Sequence, residues 1–325
     1  TVRFSDNSTQ VFTNVNFNDW YNGSGYAITN VGRVTRSTGV TDLAGTTGPR
    51  LYQVPLALSS SNYSKQIVSV DVTRTGGSAL GSMLNIMAIT TSDATFPGGG
   101  YTINNAQPTA GSNYASFNEA ITALSSGAIT GAVTFTVAPG SGPYSEKISI
   151  APVIGASSTN RVTFNCNGVT MAYNTTDLNN RTAIILNGAD FITIDSLNVD
   201  VSAGTYGWGI VLTGGADSNI IRKCTVLTNK IATTTNYMGI VLNGSATTTA
   251  SSGNNANGNL IEKNTINGGY YGIYMYGNST AAAYNTNNII RNNTIQDFYF
   301  YGSYMIYHTN FTFSGNDISR PTRTA

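Results

Sequence analysis

The chain has 325 residues, a formal net charge of +1 and only 10% charged side chains, against ~25% in an ordinary soluble domain. That composition supplies no basic field for nucleic acid and no polybasic run for anionic lipid. No apolar run approaches the length of a membrane span, so neither a nucleic-acid partner nor a membrane span is expected.

Residues 1–92 read as a small antiparallel β-sandwich. Residues 53–58 and 66–74 alternate as strands, and 82–90 is a third. Trp20, Tyr21, Tyr26 and Tyr52 offer large core side chains. The runs 65–72 and 84–90 are similar to the last strands of carbohydrate-binding jelly rolls. Ninety-two residues are few for a complete eight-stranded jelly roll, so the sandwich is expected either to be truncated at Thr1 or to be completed by a strand from elsewhere. Residues 93–100, with Pro97-Gly-Gly-Gly100, read as a linker. Thr1 reads as a mature or trimmed end, with any export signal already removed.

Residues 101–325 read as a parallel β-solenoid. A short amphipathic helix at 116–124 is placed to cap the first coil. The strand Val133-Thr-Phe-Thr-Val-Ala-Pro-Gly140 follows, and then Tyr144-Ser-Glu-Lys-Ile-Ser-Ile150. Beyond these, two phrases recur. One is Gly209-Ile-Val-Leu, Gly239-Ile-Val-Leu and Gly272-Ile-Tyr-Met. The other ends at Val199, Val226, Ile266, Ile295 and Ile318, in steps of 27, 40, 29 and 23 residues. A fixed phrase with variable gaps predicts stacked equivalent units with loops of different length. The units are β-branched, Asn-rich and punctuated by Gly, so each predicts one coil of short strands stacked at ~4.8 Å. The long steps are loop insertions at 243–258 and 277–287.

Aligning the copies gives columns. Ile194, Ile221, Ile261, Ile290 and Phe313 form one, and the phrase-ending apolar residues form another; both should line the bore. Between them lie Leu197, Cys224, Asn264, Asn293 and Asn316. Asn264, Asn293 and Asn316 should bond coil to coil as a buried ladder, which satisfies amides without a charge.

These phrases, with the helix, the Pro139-Gly140 turn and Tyr144-Ser-Glu146, resemble the right-handed parallel β-helix family, the pectin-lyase-like group, over about residues 101–318. The resemblance implies an all-β, right-handed parallel β-helix. It leaves function open, because this fold carries lyases, hydrolases, esterases, adhesins and tailspikes. Asp195-Ser-Leu197 resembles the O-glycosylation triplet of Bacteroidetes-type secreted proteins.

The chemistry-bearing residues are few. The Gly-His-Gly of polygalacturonases and the strand-end Gln and Asp motifs of pectin methylesterases have no counterpart. Asp190, Asp195 and Asp200 are too spread along one rung to chelate a single ion. Asp195, Arg222, Glu262 and Arg291 form a column of alternating sign. It reads as an acid/base site or, more simply, as a surface ion-pair ladder. The single histidine, His308, reads as a turn or surface residue. Cys166 and Cys224 fall two coils apart by register, roughly 9–10 Å. That is beyond disulfide reach, so both read as buried free thiols. No cofactor and no metal is expected.

Aromatics are the stronger lead. Val211, Val241, Tyr274 and Met305 read as an outward apolar stripe, with more tyrosines crowded between 270 and 307. Such a stripe is an interface, a sugar-stacking platform, or a surface covered by the chain's own insertions. Nine Asn-x-Ser/Thr sequons (Asn7, Asn22, Asn62, Asn174, Asn180, Asn243, Asn278, Asn292 and Asn310) offer glycosylation sites if the host modifies them. The sequence thus predicts a structural or adhesive protein, extracellular or on a bacterial cell surface. Its expected partners are itself, head to tail, or a polysaccharide. A polysaccharide lyase or glycoside hydrolase and a non-catalytic carbohydrate-binding protein are the alternatives.

Overall fold

The computed structural model describes residues 1–15, 33–34, 38, 41–42, 51–59, 62, 65, 67–73, 86, 89 and 95–323. Two compact units divide the chain, Thr1–Thr90 and Thr91–Ala325.

In the first unit Val2–Phe4 is the middle strand of a small antiparallel sheet, between Thr9–Gln10 and Ile67–Val70. Arg33–Val34 and Thr41–Asp42 form a separate antiparallel pair. The strand expected at 66–74 is present as Ile67–Val70. The strand expected at 53–58 does not form. Pro55 has no N–H to give a ladder, and the Gln10 side chain bonds this segment instead, at the Ala57 carbonyl and the Ser59 N–H. Tyr52 is half-buried. Trp20, Tyr21, Tyr26 and most of the strand expected at 82–90 lie outside the described residues.

The second unit is a parallel β-helix. Each full coil runs through a strand of a first sheet, a tight turn, a strand of a second sheet, and a longer strand of a third. The first sheet has nine strands and the other two have six each. The third-sheet strands are Ile148–Ile150, Thr182–Asn187, Gly207–Thr213, Tyr237–Leu242, Tyr271–Tyr276 and Tyr301–Ile306, all paired in parallel. The linker expected at 93–100 is corrected: Thr95–Phe96 pairs with Ala128–Ile129, and Gly99–Ile103 pairs with Val133–Val137. Ladder hydrogen bonds override the flexibility that the glycines suggest.

The bore columns follow the repeat. Val199, Val226, Ile266, Ile295 and Ile318 stand in one register, and Ile194, Ile221, Ile261, Ile290 and Phe313 in another. All are buried except the last member of each: Phe313 is half-buried and Ile318 is 42% exposed. The glycine that opens each third-sheet phrase has a steric reason. A Cβ on Gly239 would lie 2.3 Å from Ile266 Cγ2, and one on Gly272 would lie 2.3 Å from Ile295 Cγ2. The bore is too narrow there for any side chain on the third sheet.

The turn between first and second sheets is built on a left-handed residue: Ser196, Lys223, Lys263, Asn292 and Gly315 have φ of 57°, 53°, 55°, 56° and 61°. One residue reverses the chain and aims the next one inward, which is the ladder position. At the front, the helix Phe117–Leu124 buries Phe117, Ala120, Ile121 and Leu124. Ser116 Oγ accepts the Glu119 N–H at 3.1 Å. The Glu146 carboxylate accepts the Phe117 and Asn118 N–H groups at 3.1 and 2.9 Å, where the helix end is positive. The Tyr144-Ser-Glu146 phrase thus anchors the cap, with Phe117 edge-on to Tyr144 at 5.0 Å.

Candidate functional site

The charged column assembles as ion pairs on the outer face of the first sheet. Asp195, Arg222, Glu262 and Arg291 occupy successive coils. Arg222 Nε donates to Asp195 Oδ2 at 2.7 Å, and Arg291 Nη2 lies 2.8 Å from Glu262 Oε2. Both carboxylates are buried beneath their half-exposed arginines. Each acid is engaged by its own base rather than turned toward a shared substrate. Among the described residues no three His, Cys, Asp or Glu side chains converge on a point that could hold a metal ion.

The asparagine ladder occupies the inward turn position. The Asn264 side-chain oxygen accepts the Cys224 N–H, that of Asn293 accepts the Asn264 N–H, and that of Asn316 accepts the Asn293 N–H, each at 2.9 Å. Their amide groups donate to Ile221, Ile261 and Ile290 carbonyls. Asn264 and Asn293 are buried; Asn316, in the last coil, is half-buried. A second ladder escapes the sequence reading. Asn219, Asn259 and Asn288 are completely buried, and each oxygen accepts a backbone N–H one coil back, at 2.8–2.9 Å. Its signal was the asparagine that opens three of the five copies of the second phrase, seven residues before Val226, Ile266 and Ile295. Beside it, Asp190 accepts the Asp217 N–H at 2.7 Å and Asp217 accepts the Asn257 N–H at 2.7 Å. Burial pushes both carboxyls above the usual range.

The outer face of the third sheet carries the apolar stripe, with one member corrected. Tyr274 pairs with Tyr304, and Met275 with Met305. Met305 is the fourth letter of its phrase, equivalent to Leu212, Leu242 and Met275, and packs against the bore. The outward column is therefore Val211, Val241, Tyr274 and Tyr304. Val211 and Val241 are fully buried and Tyr274 is 3% exposed, so these three offer no open surface. The 243–251 insertion lies over them. Ala246 packs on the cluster of Trp208, Val211, Met238, Val241 and Tyr274. The Thr182 hydroxyl donates to the Ala246 carbonyl at 2.6 Å, and the Ala250 N–H donates to the Tyr274 hydroxyl at 2.9 Å. Thr182 and Tyr274 stand three coils apart, so the insertion is a strap running along the solenoid axis. Asn243 anchors it, bonding the Ser245 and Thr248 carbonyls and the Ser251 N–H.

Where the strap stops, aromatics begin. Tyr274 and Tyr304 rings lie 5.4 Å apart and 7° from parallel, and Tyr271 and Tyr301 lie 6.1 Å apart and 5° from parallel. Tyr304 and Tyr271 are half-buried, whereas Phe300 and Tyr301 are 50% and 45% exposed.

Three arginines act as staples across coils. Arg161 lies over the Phe191 ring and donates to the Ser218 carbonyl. Arg181 is buried between the Tyr206 and Trp208 rings, 5.1 and 4.9 Å from their centres, and donates to the Thr235 carbonyl. Arg323 lies over Tyr299 and donates to the Lys230 and Ala232 carbonyls.

His308 is corrected from a turn or surface residue to a half-buried position in the short strand His308–Thr309; burial lowers its pKa to about 4. Cys166 and Cys224 are buried free thiols, and burial pushes Cys224 up to about 12. Of the sequons, Asn243 and Asn62 are buried and hydrogen-bonded, which leaves them no room for a glycan in the folded chain. Asn7, Asn174, Asn180, Asn292 and Asn310 are exposed, Asn278 is half-buried, and Asn22 lies outside the described residues. Among the described residues no helix is long and apolar enough to cross a membrane. Compared with known proteins, the chain matches no family model, no curated protein and no solved structure.

Proposed function

We propose that this chain is a structural or adhesive scaffold, secreted or displayed on a bacterial cell surface, built on the right-handed coil of the pectin-lyase-like kind. One observation carries the reading: the chemistry-bearing side chains are spent on bonds to other coils of the same chain. The carboxylates, the two asparagine ladders and the stapling arginines are all used this way. Such a wall resists deformation and presents loops, and its acids and bases are already partnered.

Incubation with neutral and acidic polysaccharides should release neither reducing ends nor unsaturated products. Turnover that is lost on Glu262→Gln or Arg291→Ala would overturn the scaffold reading in favour of a lyase or hydrolase.

Self-association head to tail is the assembly we propose for this scaffold. Unlike surfaces that bind each other propagate a chain of subunits.

A further inference from the structure

The strap shows what chemistry this face accepts. Its core is Ala246-Thr-Thr-Thr249 followed by Ala250: small and uncharged. It seats a methyl on the apolar column and gives a backbone N–H to a tyrosine hydroxyl. Tyr304 repeats Tyr274 one coil further on, in the same column and with a nearly parallel ring. Its hydroxyl has no hydrogen-bond partner among the described residues. Tyr271, Tyr301 and Phe300 flank it. The covered interface therefore continues into an uncovered one of the same chemistry.

The chain holds a second segment with the strap's core. The loop after the second-sheet strand Thr225–Leu227 reads Ile231-Ala-Thr-Thr-Thr235. Unlike the strap, it lies open: Thr233 and Thr234 are exposed, and Ile231 is 83% exposed, the highest value for a large apolar side chain among the described residues. The loop is also held in place. The Ile231 N–H donates to Asn229 Oδ1 at 2.9 Å, and Arg323 donates to the carbonyls on either side, those of Lys230 and Ala232. Lys230 lies 3.5 Å from Asp297, so its charge is answered within the subunit. A fixed, protruding isoleucine needs little ordering on binding, which favours association.

We propose that the Ile231-Ala-Thr-Thr-Thr235 loop of a second copy of this chain docks on the Tyr271, Phe300, Tyr301 and Tyr304 face, covering it as the strap covers Val211 and Val241. Ile231 fills the space between the exposed rings, and a loop N–H reaches the Tyr304 hydroxyl. The patch is small and uncharged, so the contact is weak, salt-insensitive and apparent only at high concentration. The inference rests on the scaffold reading and supplies a side-to-side contact for it.

Sedimentation velocity over a concentration series tests the contact on the whole chain. Wild type should associate reversibly as concentration rises. Ile231→Asp and Tyr301→Ala should each lose this side contact, with concentration-dependent association weakened by at least about tenfold, as for central anchors of an interface. An equimolar mixture of the two variants should regain a 1:1 complex, because each keeps the patch that the other lacks. Tyr304→Phe, which removes only the hydroxyl, should weaken association without changing the circular dichroism or melting of the fold. A wild type that stays monomeric, variants that associate like wild type, or a mixture that fails to recover would each overturn the contact. A wild type that stays monomeric would also remove the head-to-tail assembly, whereas variants that associate like wild type or a mixture that fails to recover would overturn the side contact alone; the non-catalytic reading fails on polysaccharide turnover.

Discussion

Asn293 lies between Asn264 and Asn316, accepting from the first and donating to the second, both at 2.9 Å. Replacing it by Leu strands the Asn264 N–H and the Ile261 carbonyl in the bore. Leaving such groups unpaired costs about 1–3 kcal/mol, so Asn293→Leu should unfold at lower denaturant concentration; an unchanged midpoint would count against the ladder. Asp217 tests the outer turn by pH. Burial raises its carboxyl pKa, so the folded chain holds that proton more tightly than the unfolded chain does. Stability is then full below the unfolded pKa and is lost as pH rises through the folded one. Asp217→Asn keeps the oxygen that Asn257 uses and removes the charge. It should raise the melting temperature at pH 7 and leave it unchanged at pH 3, the gain being modest because the group is half-exposed. An equal gain at both pH values would mean that the charge is not the cause.

At the scale of the element, the third-sheet glycines set how closely the sheets approach. Gly239→Ala would drive a methyl to 2.3 Å from both Ile266 Cγ2 and the Gly272 carbonyl. Overpacking of this kind costs roughly 1–3 kcal/mol. Gly100→Ala is the matched control, since nothing lies within 4 Å of its Cβ position. Thermal melts of the two variants should differ clearly, with Gly239→Ala the less stable. The repeated Gly was legible in the sequence as a phrase marker. Its reason was not, because the clash is with Ile266, a residue 27 positions away that only the coil brings opposite.

At the scale of the molecule, a solenoid is a line of neighbours, and a residue's energetic weight depends on whether both neighbouring coils are present. Ile266 is fully buried between Val226 and Ile295, whereas Ile318 is 42% exposed. Ile266→Ala should cost ~2–5 kcal/mol, as for a buried isoleucine in a tight core. Ile318→Ala should cost less than half of that. Chemical denaturation of both variants checks the ratio; equal losses would mean that the coil of Ile318 is covered in solution.

The sequence by itself determined the coil. Fixed phrases place the bore residues, the inward asparagines and the alternating charges, because a stack of equivalent units repeats its interior contacts at the same letters. Those letters also carried the second ladder, at Asn219, Asn259 and Asn288, although column reading passed over it. What only the tertiary structure decided was the exterior. Val211 and Val241 read as outward with their cover undecided, because alternation along a strand says which way a side chain points, not what lies over it. The cover is an insertion without periodicity, seated by two hydrogen bonds and one methyl contact along the solenoid axis. Periodicity reports a residue's relation to its own strand; coverage depends on a loop that returns from elsewhere, and that relation exists only once the coils have stacked.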